Sequence, residues 1–327
     1  MSFTTPKTIV VTGCAGFIAS SFIEAFRTKY PEALIVGIDN FATGRKDRVH
    51  TGITFYEASI CDESRMEEIF ARHKPEYVFH FAALPRVAYS VEHPAQTTFV
   101  NSYGTALLLE KARDHGTKRF IYSSSSSVYG PTEQLPTSEA GSAPNPVSPY
   151  ALQKYSGEPL LRMASDLYSI DAVSLRYFNV FGPWQYGDSA YSNVISAWLT
   201  GMYFPATKKA FIEGDGLQSK DYCYIDNVVL GNMLAMEHPE PLKGEVFNIA
   251  NQEKTSLLDI KKLLEEYSGK VLELEQRPPR PGDVRFSLGD VSKAKRVLGY
   301  EVKVDFKEGV KKTITWFESR IASGEGK

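Results

Sequence analysis

The stretch Lys7-Thr-Ile-Val-Val-Thr12-Gly-Cys-Ala-Gly-Phe-Ile-Ala19 joins an apolar, β-branched run to a turn with two glycines, and the pattern turns helical from Phe17 to Lys29. A short β-branched run bounded by glycine reads as a buried strand, and apolar residues at helical spacing behind it read as a helix. Gly13 permits a tight turn. Gly16 lets the backbone approach a pyrophosphate at the positive end of that helix. Ala19 stands where a third glycine is usual and is still small enough for close helix–strand packing. Asp39 ends a second buried run, Ala33-Leu-Ile-Val-Gly-Ile-Asp39, 20 residues beyond Ala19. A carboxylate there hydrogen-bonds a ribose 2′-hydroxyl and repels a 2′-phosphate, which points to NAD rather than NADP.

Outward from this unit the alternation continues. Strands are expected at 53–57, 77–82, 118–122 and 171–176, and helices at 62–73, 97–115 and 149–168. Continuous apolar strands separated by helices predict an α/β fold, a Rossmann-like doubly wound parallel sheet covered on both faces. Beyond Phe181 the pattern loses regularity. Helices are expected at 255–267, 290–298 and 306–321, and the prolines of Arg277-Pro-Pro-Arg-Pro-Gly-Asp283 exclude helix or central strand there. The expected division is a cofactor-binding domain over 1–180, with a returning segment near 224–250, and a smaller irregular substrate domain over 181–327.

Composition narrows the function classes. The 327 residues suit about two domains. With 37 basic and 39 acidic side chains the net charge is −2, which argues against nucleic acid or an anionic membrane as partner. No apolar run approaches the ~18 residues of a membrane span, and Met1-Ser-Phe-Thr-Thr-Pro-Lys7 lacks a signal-peptide pattern. Three cysteines without a CxxC pair exclude a disulfide framework and a Cys-rich zinc site, so no metal is expected, and they fit a reducing cytoplasm.

Two further motifs carry chemistry. Tyr150-Ala-Leu-Gln-Lys154 puts a phenol and an amine on one helical face, after the good helix start Ser148-Pro149. A free phenol, with a pKa near 10, is a poor base at neutral pH. A nearby ammonium and a positive nicotinamide ring are expected to stabilise the phenolate. Tyr122-Ser-Ser-Ser-Ser-Ser-Val-Tyr-Gly130 falls at the carboxyl end of a parallel strand, where open α/β sheets place their sites. A hydroxyl there can bond a reacting oxygen and share its proton with Tyr150. Simple turn chemistry also favours serine, as a solvated helix face favours Tyr and Lys.

In this order the motifs resemble the extended short-chain dehydrogenase/reductase family, and within it the nucleotide-sugar 4-epimerases. The resemblance covers nearly the whole chain. It includes Asp39-Asn-Phe41, Phe81-Ala-Ala-Leu84, Asn101 before Gly104-Thr105, Leu175-Arg-Tyr-Phe-Asn-Val-Phe-Gly182, Gly214-Asp-Gly216, Tyr224-Ile-Asp226 and Arg280-Pro-Gly-Asp283. It implies a catalytic trio of Ser125, Tyr150 and Lys154. Toward NAD it implies Gly13, Gly16, Phe17, Ile18, Asp39, Asn40, Phe41, Thr43 and Gly44 on the adenosine side. Ser59, Ile60, Phe81, Ala82, Ala83, Leu84, Asn101, Ser123 and Tyr177 follow, together with Tyr150 and Lys154. Toward the substrate it implies Asn179, Lys220 and Arg280 on the UDP, with Ile212 near the uracil. Asn193, Val194, Asp283, Ser126 and Ser287 are implied around the rest of the ligand. Family members are commonly homodimers, so 97–115 and 149–168 are implied interface helices.

Departures from the family pattern refine the expectation. Ser59 replaces an acidic residue, and Lys220 replaces an arginine, keeping charge but losing bidentate phosphate geometry. Related dehydratases and decarboxylases carry acidic residues where this chain has Ser126 and Ser127, so simple epimerisation through a 4-keto sugar is expected. Ser287, small where some relatives carry Tyr, leaves room for an acetamido group and points to UDP-GlcNAc/UDP-GalNAc. Arg86 follows Leu84-Pro85 and reads either as a solvated arginine or as a clamp for phosphate or the carboxylate of UDP-glucuronate. Other readings of the chain are a UDP-glucuronate 4-epimerase, a dehydratase and a non-catalytic NAD-sensing protein, since fold alone does not give function.

Overall fold

The computed structural model describes residues 5–132, 134–168, 170–185, 187, 193–278 and 284–323. Four strands and two helices open the chain: β1 (Thr8–Thr12), α1 (Phe17–Lys29), β2 (Leu34–Asp39), β3 (Thr54–Glu57), α2 (Glu63–His73) and β4 (Tyr77–His80). Helices α3 (Val87–Glu92), α4 (Pro94–Thr98) and α5 (Gly104–Asp114) then lead to β5 (Arg119–Ser125), α6 (Pro149–Tyr168) and β6 (Asp171–Tyr177). The second half contributes α7 (Val194–Tyr203), β7 (Ala210–Glu213), β8 (Ser219–Asp221), α8 (Ile225–Glu237), β9 (Glu245–Ile249) and β10 (Lys254–Ser256). It ends with α9 (Leu257–Ser268), β11 (Leu274–Arg277), α10 (Ser292–Leu298) and α11 (Phe306–Ala322).

Seven strands form one sheet in the order β3-β2-β1-β4-β5-β6-β9, and every pairing is parallel. Successive side chains along each strand enter different cores. Ile9, Val11, Phe79, Ile121, Val173 and Leu175 join one cluster with Phe22, Ile23 and Phe26 of α1. Val10, Val78, Phe120 and Ala172 join the other, with Met66, Ile69, Leu108 and Leu161 of α2, α5 and α6. Burial on both faces explains the continuous apolar runs in the sequence. The order reverses direction at β1/β4, so the crevice beyond the strand ends opens there. There are two small sheets besides, β10–β8 and β11–β7, and Lys220 of β8 lines the cleft.

The expected helix at 97–115 is broken into α4, a π turn at Phe99–Tyr103 and α5. The wider turn carries Asn101, which is held by partners outside the helix, as described below. The fifth strand runs on to Ser125, so Ser123, Ser124 and Ser125 belong to the strand end, while Ser126 and Ser127 start a short turn. The fourth strand stops at His80, and Phe81–Leu84 leaves the sheet as a loop. Among the described residues no helix is long and apolar enough to cross a membrane.

Candidate active site

Gly13 has φ +68°, and its N–H donates to the Ile38 carbonyl at 2.7 Å. A Cβ at this position would lie 2.8 Å from the Ala82 nitrogen, so only glycine lets the loop pass under the β4 end. Gly16 is the N-cap of α1 and offers no side chain, which leaves the positive helix end facing the cleft. Asp39 is buried, and its carboxylate binds the loop itself: Oδ2 accepts from Ala15 N at 3.0 Å and Oδ1 from Phe41 N at 2.7 Å. Burial raises its pKa and these two N–H groups oppose the rise.

On the other side of the sheet, α6 comes close to β5 because of Gly157, where a Cβ would sit 2.7 Å from the Tyr122 ring. That approach places Tyr150 and Lys154 at the end of β5. Lys154 Nζ donates to the Ser123 carbonyl at 2.7 Å and lies 4.9 Å from the centre of the Tyr122 ring. Burial pulls its ammonium down to about 7. Burial also pushes the Tyr150 phenol up to about 12, against a hydrogen bond from Ser125 that favours the phenolate. The expected stabilisation of the phenolate included the charge of a nicotinamide ring as well as Lys154. Desolvation outweighs every group of the chain itself, so lowering the phenol requires added positive charge in the cleft.

Behind this trio lies a fixed polar network. Thr105 Oγ1 donates to the Asn101 carbonyl at 2.7 Å, so the 2.8 Å contact with His80 Nε2 is a bond donated by His80. His80 Nδ1 is then the acceptor for Thr12 Oγ1 at 2.8 Å, and Thr12 Oγ1 accepts from Ala82 N at 3.2 Å. His80 is fully buried, and desolvation followed by Lys154 lowers its pKa to about 3. It stays neutral. Asn101 accepts from Leu84 N at 2.8 Å and donates to the Leu84 carbonyl at 3.1 Å and to Gln153 Oε1 at 2.8 Å. Gln153 donates in turn to Thr97 and Thr98. Asn101 thus pins the Phe81–Leu84 loop to α6. Next to it, Glu158 binds Arg176 through two bonds of 2.8 and 2.6 Å and accepts from Ser124 at 2.6 Å, all buried.

One cleft of about 1120 Å³ runs past these groups. Gly13, Gly16, Phe17, Ile18, Asp39, Asn40, Thr43, Ser59, Ile60 and Phe81 to Leu84 line one end, and Ser123, Ser125, Ser126, Tyr150, Lys154 and Tyr177 line its middle. Arg86, Asn179, Asn193, Lys220 and Ser287 line the other end. Arg86 is half-buried there, at the N-cap of α3, not a solvated arginine. Asn179 Nδ2 donates to the Asp221 carbonyl at 2.8 Å, with Ser287 Oγ at 3.5 Å.

Five expected residues do not line the cleft. Phe41 turns to the Phe55 ring, Gly44 packs on the Asp39 carboxylate, and Asn101 is buried behind the loop it holds. Val194 starts α7 behind its cap Asn193, and Ile212 is buried in the core through β7. Arg280 and Asp283 lie outside the described residues. Sequence reasoning did not single out His80 or Gln153, and it read Ser127 only as a missing acidic residue. It also passed over Arg48, which lines the cleft, lies 4.5 Å from the Trp184 ring and donates to the Phe17 carbonyl at 3.4 Å. The polar residue inside the apolar run at His80 was the one visible signal.

A cleft with a bare helix end, a carboxylate at the next strand and a phenol–amine pair in its middle fits a dinucleotide along the α1 side, with a second molecule against Tyr150. That is the arrangement of a nicotinamide-dependent enzyme. Residues 9–250 match the model of the NAD dependent epimerase/dehydratase family, and the chain belongs to that family. It is similar to the UDP-glucose 4-epimerase of Thermotoga maritima solved with UDP-glucose. The two are 40% identical, with a TM-score of 0.91 over 96% of this chain and 99% of that one. The UDP-N-acetylglucosamine 4-epimerase of Methanobrevibacter ruminantium, in complex with UDP-N-acetylmuramic acid, is 31% identical at a TM-score of 0.88, over 97% and 100% of the two chains. The UDP-glucuronic acid 4-epimerase of Bacillus cereus, solved with UDP-glucuronic acid and NAD, is 32% identical at 0.86, over 95% and 99%. The chain is an NAD-dependent isomerase of this family.

Proposed function

We propose that the protein inverts C4 of UDP-N-acetylglucosamine and UDP-N-acetylgalactosamine, accepts UDP-glucose and UDP-galactose as well, and uses Ser125, Tyr150 and Lys154 for the chemistry. The observation that carries this reading is that these three side chains line one cleft together with the glycine loop and with Asn179, Lys220 and Ser287. NAD held along the glycine loop would supply the reversible hydride acceptor for C4. Tyr150 Oη takes the C4 hydroxyl proton and later gives it back, with Ser125 donating beside it. The dry surroundings that hold the phenol near 12 also strengthen the pull of any cation placed beside it. Contacts from Asn179 and Lys220 to the pyrophosphate are remote from C4, so they hold the ligand while the keto sugar turns over. Ser287 leaves space for an acetamido group.

The cofactor belongs to residues 1–180 with the returning β9, and the nucleotide sugar to 181–327. The protein works as a homodimer. Phe99 at 53% and Leu167 at 68% exposure, with Tyr103, Leu152 and Met163, are exposed apolar side chains on the π turn and α6 that such a pairing covers. The free cysteines, two of them buried, suit a cytoplasmic enzyme. A second reading is a UDP-glucuronate 4-epimerase, favoured by the half-buried Arg86 in the cleft.

Proton NMR of the protein with UDP-GlcNAc, UDP-glucose and UDP-glucuronate in turn tests this. Anomeric signals of the 4-epimer from UDP-GlcNAc support the proposal, and conversion of UDP-glucuronate alone moves the assignment to Arg86 as carboxylate clamp. Tyr150→Phe should reduce turnover at least a hundredfold while NAD stays bound. Ser287→Tyr should remove activity on N-acetylated sugars selectively.

A further inference from the structure

The Ser125 hydroxyl has one proton to give and two lone pairs. Both lone pairs are filled by one residue. Ser127 donates its backbone N–H to Ser125 Oγ at 3.2 Å and its own Oγ–H at 2.9 Å. The same contact makes Ser125 the cap of the short turn Ser126–Tyr129 and fixes its side chain on the cleft wall. The capacity left over is the Ser125 proton, on the cleft wall that Tyr150 also lines.

We propose that Ser127 is a positioning residue for proton transfer: by occupying both lone pairs of Ser125 it makes Ser125 a donor to Tyr150 Oη and prevents it from accepting the Tyr150 proton. The direction of that bond matters. A donor facing the phenol oxygen stabilises the phenolate, whereas an acceptor facing it stabilises the phenol. With Ser127 Oγ removed, one lone pair of Ser125 opens, the hydroxyl can rotate, and the protonated phenol gains a partner. The sugar proton still goes to Tyr150 Oη, and Ser125 keeps its own throughout. The inference rests on Tyr150 being the base.

Other titratable or charged groups face this corner: Lys154 and Glu158 on α6, Tyr122 on β5, His80 on β4 and Tyr177 on β6. Substitution at 127 leaves all five in place.

The test is an ultraviolet difference titration of the NAD-bound protein at the tyrosinate band, with Tyr150→Phe as the blank, run beside the pH profile of kcat. Ser127→Ala should move the Tyr150 ionisation upward by about one pH unit, the size of one lost hydrogen bond to a charged group. The kcat should fall about tenfold on the acid limb, recover at high pH and leave KM within about twofold. Ser127→Thr, which restores the hydroxyl, should return both to the parent values. An unmoved ionisation with kcat low at every pH makes Ser127 a turn support only and overturns the proposal. So does a change confined to KM, which makes Ser127 a substrate contact. If Tyr150→Phe itself retains turnover, the base assignment fails separately, and the titration still reads whether Ser127 acts on the phenol.

Discussion

Replacing the buried Lys154 amine by a thioether should make the folded protein more stable in mild acid while abolishing turnover. Lys154 is 4% exposed, and burial lowers its ammonium from 10.5 to about 7. In the unfolded chain the proton stays on to about pH 10.4. Between pH 7 and that value the unfolded state holds a proton that the folded state lacks, so this group makes stability rise with pH across the window. Below pH 7 the full penalty is present, and the fall to about 7 corresponds to about 4–5 kcal/mol. The 2.7 Å bond to the Ser123 carbonyl offsets about 1 kcal/mol, which the variant loses. Methionine fills nearly the same volume without a charge. The expected gain for Lys154→Met is about 2–4 kcal/mol at pH 6, shrinking to nothing or a small loss near pH 10.5. Urea unfolding of nucleotide-free parent and variant at pH 6, 8 and 10 measures this, with midpoints compared at equal slope. A variant less stable than the parent at pH 6, or a difference flat across the three pH values, would refute the reasoning.

Two other expectations concern the scaffold. Gly13→Ala puts a Cβ 2.8 Å from the Ala82 nitrogen at φ +68° and should lower stability by about 1–3 kcal/mol. It should also reduce the nucleotide released on denaturation, measured at 260 nm. Glu158→Ala leaves Arg176 buried and unpaired and should lower stability by about 3–5 kcal/mol in urea unfolding, whereas Glu158→Leu with Arg176→Met should recover more than half of that.

Much of the fold was readable because the parallel strands are buried on both faces, which leaves uninterrupted apolar runs such as Ile9-Val-Val11. Helices α1 and α6 coincide with their expected limits. Helix α8 was not anticipated as such. Val228, Val229, Asn232, Met233 and Ala235 bury it nearly all round, and a helix without a polar stripe gives no periodic signal. Strands β8 and β10 have three residues each, too few for an alternation to register. In the site, Gly13, Asp39, Tyr150 and Lys154 were legible because their spacing is local. The residues that orient them were not. His80 meets Thr12 across 68 positions, Asn101 meets Gln153 across 52, and Arg48 meets Trp184 across 136. Such partners become neighbours only through the topology. Ile212, expected near the uracil, is buried in the core cluster.

The position of β9 governs the order in which the molecule can be completed during synthesis. This strand hydrogen-bonds β6 along Val173–Tyr177, yet it leaves the ribosome about 70 residues later, at Glu245–Ile249. Until then the nascent sheet ends on an open apolar edge, with Val173 and Leu175 also awaiting the side chains of α8 that later share their core. A polypeptide stopped at residue 180 is therefore not a free-standing nucleotide-binding module. It is an arrested intermediate with a template for strand addition, and it should be recovered in the insoluble fraction or bound to chaperones, while one extended past Ile249 can close its own sheet.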